Sequence, residues 1–526
     1  MSTTTFDPAH PPQKMLSGSN KESFGYATLQ SRLPVIVSKI VDDVYRAYNG
    51  LDADPSLDDS TKKQKEQEAK KIIETIGALR YELQRDKPFR PLTDSYPDVK
   101  EWNQALETFY SGSSWYKASW LFSECYLYRR IKEAFELSEH WKDYDPFFRQ
   151  KSIVFKSSQK AVVAIAARLM SPVSAGSASG QDPLQDVNQL SSLDVLISQG
   201  PDSKGTQEAF YELAQICLWG NATDLSLLDN PDLAKVEELQ RRMLMEKSSS
   251  SSSLGSGETL LGGSPDQQGA EGIANDEPTE LEKHAEMILT NDLDKLWGKV
   301  KSLRNARVDI ILDNAGFELY VDLVFADYLV RAGFASEVVF HAKRIPWFVS
   351  DVLPFDFDWT LRQLYTGNAD GLEAFFDPED PAEQKAIKDL GSRWRTYVSN
   401  GTWRVTSHDF WTSCYAFYHL PTLPTAADLF GDMQKSDLWI FKGDLNYRKL
   451  VYDCLWPTTT TFEEAIGPLG GKAPAGRKAA GVPSLVSFRT CKADVVVGLA
   501  PGVAEAMDIK AKDWMVSGEY AVISFS

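Results

Sequence analysis

The chain has 526 residues, of which 43% are hydrophobic and 25% charged, and its formal net charge is −18. The length exceeds what one hydrophobic core usually serves, and the composition is that of a globular chain rather than a disordered or fibrous one. A negative charge of this size with no basic face argues against nucleic acid and against an anionic membrane surface as partners.

Five cysteines, Cys125, Cys217, Cys414, Cys454 and Cys491, form no CxxC pair. That pattern fits a reducing compartment and excludes a zinc ribbon or a disulfide framework. The start, MSTTTFDPAHPPQKM, has no apolar centre, and no apolar run is long enough to span a bilayer. The expectation is a cytoplasmic protein, with the nucleus as a second compartment, and a monomer.

Residues 1–20 are Thr- and Pro-rich and read as a disordered tail. Residues 21–244 read as an all-helical unit. SRLPVIVSKIVDDVYRAY has apolar residues at helical spacing. STKKQKEQEAKKIIETIGALRYELQRD is a long helix with Ser60 as its N-cap. Trp115 to Leu137 is apolar on most sides, which predicts a buried helix, and QEAFYELAQICLWG is a further helix. SPVSAGSASGQDPLQDVNQ, near Ser171, reads as a loop. Residues 245–282 are dominated by serine, glycine and acids and read as a flexible insertion.

From 283 to 526 the pattern becomes α/β. Short β-branched runs, RVDIIL (307–312), SEVVFHAK (336–343), DLWIFK (437–442), LVSFRT (485–490) and AVISF (521–525), alternate with helical stretches. This predicts a mainly parallel sheet flanked by helices in three layers, with the site at the carboxyl ends of the strands. At and just beyond the strand ends stand Asp313, Asn314, Gly316 and Glu318; then Asp351; then Asp444, Asn446 and Arg448; then Arg489, Thr490 and Lys492. Each group alone has a plain explanation. Asp-Asn-Ala-Gly is a common turn, Glu318 suits the first turn of any helix, and Arg448 suits a salt bridge to a neighbouring acid. Together, two carboxylates and an amide oxygen are hard ligands for a divalent ion, and the basic residues suit a phosphate. The combination points to metal-assisted phosphoryl chemistry.

LDNAGFE (312–318), the FVSD ending in Asp351, GDLNYR (443–448) and RTCKADVVVGL (489–499) resemble the DUF89 damage-control phosphatases. The RT-x-K form is similar to the acidic residue methyltransferase 1 branch, also called sugar phosphate phosphatases. LRYELQRDKPFRPL and WLFSECYLYRRI resemble the helical region of that branch. The resemblance implies a metal-dependent phosphatase acting on small phosphorylated metabolites such as fructose 1-phosphate. It implies that Asp313, Asn314 and Asp351 hold the ion, with Mn²⁺ first and Ni²⁺, Co²⁺ or Mg²⁺ as alternatives. It implies that the span Asp444, Leu445, Asn446, Tyr447, Arg448 binds substrate together with Lys492. Asp313 or Asp351 would orient the attacking water, Lys492 and Arg489 would neutralise charge on the phosphoryl oxygens, and Asp444 and Asn446 would bond sugar hydroxyls. The family is also associated with S-adenosylmethionine-dependent methylation of protein glutamate. In that alternative Glu318 and Asp351 lie near the methyl donor, but DNAG stands where such enzymes carry a Gly-rich loop.

The remaining candidates read more plainly. Asp356 and Asp358, in PFDFDW, have the spacing of an aspartyl-phosphate signature but follow no clean strand. His341 reads as a core histidine, and His408 and His419 lack metal spacing. Cys491 has no visible activating base. Glu124, on a buried helix, needs a partner, either Arg129 or Arg130 or a group in the pocket between the two halves.

Overall fold

The β-branched runs assemble into a seven-stranded sheet of order β1-β7-β6-β5-β2-β3-β4. The computed structural model describes residues 10–51, 54–170, 193–198, 200–220, 286–365, 375–471 and 478–526. The strands are β1 Ile288–Asn291, β2 Ala306–Ile311, β3 Ala335–Ala342, β4 Trp403–Ser407, β5 Leu438–Lys442, β6 Ser484–Thr490 and β7 Ala521–Phe525. β6, β5, β2, β3 and β4 pair in parallel, whereas β7 pairs antiparallel to β6 and parallel to β1. Every residue of β2 and of β5 is buried, as expected for central strands of a sheet covered on both faces. β1 and β4, not expected from sequence, are edge strands with partly exposed side chains, so their apolar signal is weak.

The helices used below are α1 Leu33–Asn49, α2 Asp59–Gln84, α3 Trp120–Glu136, α4 Phe148–Ser157, α5 Gln159–Met170, α6 Lys204–Trp219, α7 Phe317–Arg331, α8 Pro354–Tyr365 and α9 Gly443–Leu450. α2 starts slightly earlier than expected. Its N-cap is Asp58, whose carboxylate accepts from the Thr61 N–H at 2.9 Å, and Ser60 lies inside the helix. Every residue of α3 except the last, Glu136, is buried. Its Arg129 is chelated by Asp94 and Asp98, and its Arg130 by Glu82 and Glu133.

Strand alternation sorts the interior into two cores. Ile311, Trp439 and Phe441 point to one face and belong to a core that also holds Leu29, Ile72, Leu127 and Val154. Val308, Ile310, Leu438 and Ile440 point to the other and belong to a core that also holds Phe155, Val162, Phe210 and Leu218. Both cores draw on residues before and after the Ser/Gly-rich stretch, and the chain passes from one face to the other within α4. That stretch, 245–282, lies outside the described residues, as does the loop expected near Ser171.

Part of the expected N-terminal tail is docked. Met15 bridges Cys454 and Ser17 bridges Ser119. The Leu16 N–H donates to the Asp453 carbonyl at 3.0 Å, and the Trp120 N–H donates to the Leu16 carbonyl at 2.9 Å. Met15 and Leu16 break the polar composition of the tail, and Leu16 is buried. Residues 1–9 lie outside the described residues.

Candidate active site at the strand ends

From β2 the chain winds to β3 and β4 on one side, then returns to β5 on the other. The carboxyl ends of β2 and β5 therefore flank a switch in winding direction, where α/β sheets open a crevice. Asp313, Asn314, Asp351, Glu318 and Asn446 are all buried here.

The loops after β2 and β3 are joined by backbone pairing. Asn314 and Asp351 form an antiparallel bridge. The Ala315 N–H donates to the Ser350 carbonyl at 2.7 Å, and the Val352 N–H donates to the Asp313 carbonyl at 2.8 Å. The Asn314 Nδ2 donates to Asp313 Oδ2 at 2.9 Å and to Glu318 Oε2 at 2.7 Å, while its Oδ1 accepts from Ser350 Oγ at 2.5 Å. Gly316 caps α7 at φ 81° and ψ −129°, a region closed to residues with a Cβ. Asp313 also packs on the start of α9. A Cβ on Gly443, which has φ 83°, would stand 1.8 Å from Asp313 Oδ2. The carboxylate thus lies against a helix N-terminus, where negative charge is favoured.

Three buried lysines, unassigned from sequence, support these loops. Lys343, just past β3, donates to the Leu312 carbonyl at 2.8 Å and stands 3.2 Å from Asp351 Oδ2 and 3.5 Å from Asn446 Oδ1. Lys442, the last residue of β5, pairs with Asp322 at 2.9 Å and Glu318 at 3.6 Å and contacts Cys217 Sγ at 3.2 Å. Burial alone would lower its pKa, but Asp322, Cys217 and Glu318 outweigh burial and raise it. Burial dominates at Asp322 itself, whose pKa is raised despite Lys442. Lys151, on α4, donates to the Asp351 carbonyl at 3.0 Å and pairs with Asp356 at 2.7 Å and Asp145 at 3.0 Å. Burial opposes its charge too, and the two aspartates prevail and raise its pKa. Lys343 and Lys442 had a signal, since each is the polar end of an apolar strand. Lys151 had none.

The GDLNYR segment is helical from Gly443 onward. Asn446 Nδ2 is used internally, on the Lys442 carbonyl at 2.7 Å and the Leu312 carbonyl at 3.1 Å. Leu445 and Tyr447 side chains belong to the core, and the Tyr447 hydroxyl accepts from the Val497 N–H at 3.0 Å. Asp444 binds the end of β6 and the loop after it, accepting from Arg489 Nε at 2.8 Å and from the Lys492 N–H at 3.2 Å. Arg489 also donates to the Ala493 carbonyl at 3.1 Å and lies over the Tyr447 ring at 4.3 Å. These contacts give Arg489 a loop-ordering place.

Arg448 has the salt-bridge arrangement that sequence left open. It grips Asp453 with two bonds of 2.8 and 2.9 Å, meets Glu124 at 2.8 Å, and stacks on Trp120 at 3.8 Å. Glu124 therefore does not pair with Arg129 or Arg130. It meets Arg448 and, at 3.5 Å, Arg32, so the helical half reaches the α9 segment directly. Asp356 is in the first turn of α8 and Asp358 pairs with Arg362 on the surface. His341 is a core residue, with Nε2 3.0 Å from Asp309 Oδ2. Burial raises the Cys491 thiol pKa to about 11, which leaves it protonated.

The residue types, two carboxylates and an amide on two loops tied together by their backbones, are those that suit a hard divalent ion; the Asn314 Oδ1 here accepts from Ser350 Oγ. A second cluster, Glu68, Glu139 and His140, is partly exposed; its His140 Nδ1 is 3.1 Å from Glu68 Oε1, and it reads as a surface hydrogen-bonded pair.

The damage-control phosphatase ARMT1-like domain matches residues 28–255 and 263–507. The chain is 34% identical to the zebrafish (Danio rerio) damage-control phosphatase ARMT1 over 98% of this chain and 97% of that protein. It is 35% identical to the Xenopus tropicalis protein of the same name, covering 98% and 99%, and 31% identical to the human (Homo sapiens) one, covering 97% and 98%. Among solved structures, a DUF89 family protein from Pyrococcus horikoshii aligns with a TM-score of 0.34 and 13% identity, over 81% of this chain and 87% of that one. The chain belongs to the damage-control phosphatase ARMT1-like family. That membership supports a metabolite phosphatase role. Among the described residues no helix is long and apolar enough to cross a membrane.

Proposed function

We propose that the chain is a metal-dependent phosphatase of sugar phosphates, fructose 1-phosphate among them, working at the carboxyl edge of β2, β3, β5 and β6. The observation that carries this reading is the Asn314–Asp351 bridge, which joins the two loops bearing Asp313, Asn314 and Asp351. Those three residues would hold the ion, with Mn²⁺ the first choice. Such an ion supplies Lewis-acid polarisation of the phosphoryl group. Asp313 or Asp351 orients the attacking water and takes its proton. Lys492 stabilises charge on the phosphoryl oxygens, and Asp444 holds the Lys492 loop in place. Glu318 fixes the amide plane of Asn314 through its 2.7 Å bond, which keeps Oδ1 rather than Nδ2 on the side of Ser350. The proposed setting is the cytoplasm and the proposed state a monomer.

The test is phosphate release from fructose 1-phosphate by the purified chain with Mn²⁺, with and without EDTA, beside Asp313→Ala and Asp351→Ala. Release should need the metal, stop with the chelator, return with added Mn²⁺ and be lost in both variants. Absence of metal-dependent release from any sugar phosphate would falsify the reading.

A further inference from the structure

Asp351 sits at the end of a strained loop. Phe348 and Val349 have φ of 42° and 72°, left-handed backbone that a β-branched residue rarely adopts. Such residues persist only where their surroundings over-determine them. The surroundings here come from the helical half. Tyr128 on α3 stacks on Phe348 with ring centroids 4.7 Å apart. Lys151 on α4 donates to the Asp351 carbonyl at 3.0 Å.

The Lys151 side chain binds one ligand-bearing loop, and its helix backs the other. The Lys151 carbonyl lies 3.9 Å from where a Cβ on Gly316 would stand, and Phe155 of the same helix is 3.7 Å away. α4 thus backs the turn that carries Asp313 and Asn314, while the Lys151 side chain reaches the loop that carries Asp351. The ammonium is set by Asp145 at 3.0 Å and Asp356 at 2.7 Å. Asp356 also accepts from the Leu353 N–H at 2.9 Å, so the same carboxylate holds the chain immediately after Asp351. This gives a place to one acid of PFDFDW, a motif the proposed chemistry does not otherwise use.

We propose that Lys151, with Asp356 as its counter-charge, is a positioning residue that fixes the Asp351 loop against the Asp313–Asn314 turn and so sets the geometry of the metal site. Lys151 touches no reacting atom; it acts through the backbone of Asp351. The proposal rests on the reading that Asp351 is a metal ligand, and the experiment separates the two.

The measurement is calorimetric titration of the full chain with Mn²⁺ alone, on wild type, Asp351→Ala, Lys151→Met and Arg129→Met. Arg129 is a control for loss of a buried cation in the same helical half, since it is held by Asp94 and Asp98. Asp351→Ala should lose binding. Lys151→Met should weaken Mn²⁺ binding by about 10- to 100-fold, the usual effect of removing an outer partner of a ligand, and Arg129→Met should leave it unchanged. With saturating Mn²⁺, the Lys151→Met enzyme should lose kcat while keeping the wild-type KM for fructose 1-phosphate. If Lys151→Met does not fold, Lys151→Met/Asp356→Asn removes the stranded carboxylate and carries the same expectation. Wild-type Mn²⁺ affinity in the Lys151 variant, beside lost binding in Asp351→Ala, overturns the positioning role and leaves the phosphatase reading standing. Wild-type affinity in Asp351→Ala overturns both.

Discussion

At the residue scale, Gly443 shows how a missing side chain shapes the site. Its backbone has φ 83°, and a Cβ there would stand 1.8 Å from Asp313 Oδ2. Gly443→Ala forces either the backbone or the carboxylate to move. The strain should cost about 1–3 kcal/mol in urea unfolding. Displacing Asp313 should lower phosphate release by about a hundredfold, the usual scale for an ångström-sized error at a reacting group. Asp327 on α7 offers a separate check, through pH. Burial raises its pKa to about 6, although Arg393 stands 2.8 Å away. A carboxyl whose pKa is higher folded than unfolded binds its proton more tightly in the native state. Its contribution is therefore complete below pH ~4 and lost as pH rises through ~6, a change of about 2–3 kcal/mol. Asp327→Asn should flatten stability across that window, measured by urea unfolding at a series of pH values. Asp313 and Asn314 were legible as candidates because polar residues directly after an apolar strand are conspicuous, and Asp351 because it closes the segment that follows β3. Lys151 was not, because a lysine on an amphipathic helix normally reaches solvent. Only packing shows that this one is enclosed by Asp145 and Asp356.

At the element scale, the central strands were readable and the edges were not. β2 and β5 are buried on both faces, so their sequences are largely apolar, with Arg307 and Asp309 of β2 paired to each other and Lys442 closing β5. β4, WRVTS, carries its polar residues on a partly exposed edge, and β1 is only four residues long. The strand AVISF was legible but its direction was not. β7 runs antiparallel to β6, and direction is set by the path of the connecting chain. GDLNYR read as a strand-end segment rich in site residues. As a helix, it turns Leu445 and Tyr447 into the core and commits Arg448 to Glu124 and Asp453. Helical spacing divides such a segment between side chains turned into the core and side chains turned toward neighbouring loops.

At the scale of the whole molecule, the helical half is part of the site's support. Leu127 and Val154 share a core with Trp439 and Phe441, and Phe210 and Leu218 share the other with Ile440 and Val308. Each fully buried side chain of this size contributes about 1.5–3 kcal/mol. Residues 286–526 expressed alone would expose part of each face of the sheet, where Leu127, Val154, Phe210 and Leu218 now pack. That fragment should lack near-UV circular dichroism and bind a hydrophobic dye, whereas a cooperative unfolding transition would show that the sheet folds by itself. The sequence alone determined the change from helical to α/β patterning, the strand ends that carry acids and amides, and the family resemblance. Those features are local, since periodicity and short motifs depend on neighbours along the chain. Tertiary structure decided the strand order, the pairing of Asn314 with Asp351, the partner of Glu124 and the place of Lys151. Each joins residues far apart in sequence, and burial and charge compensation act on distance in space.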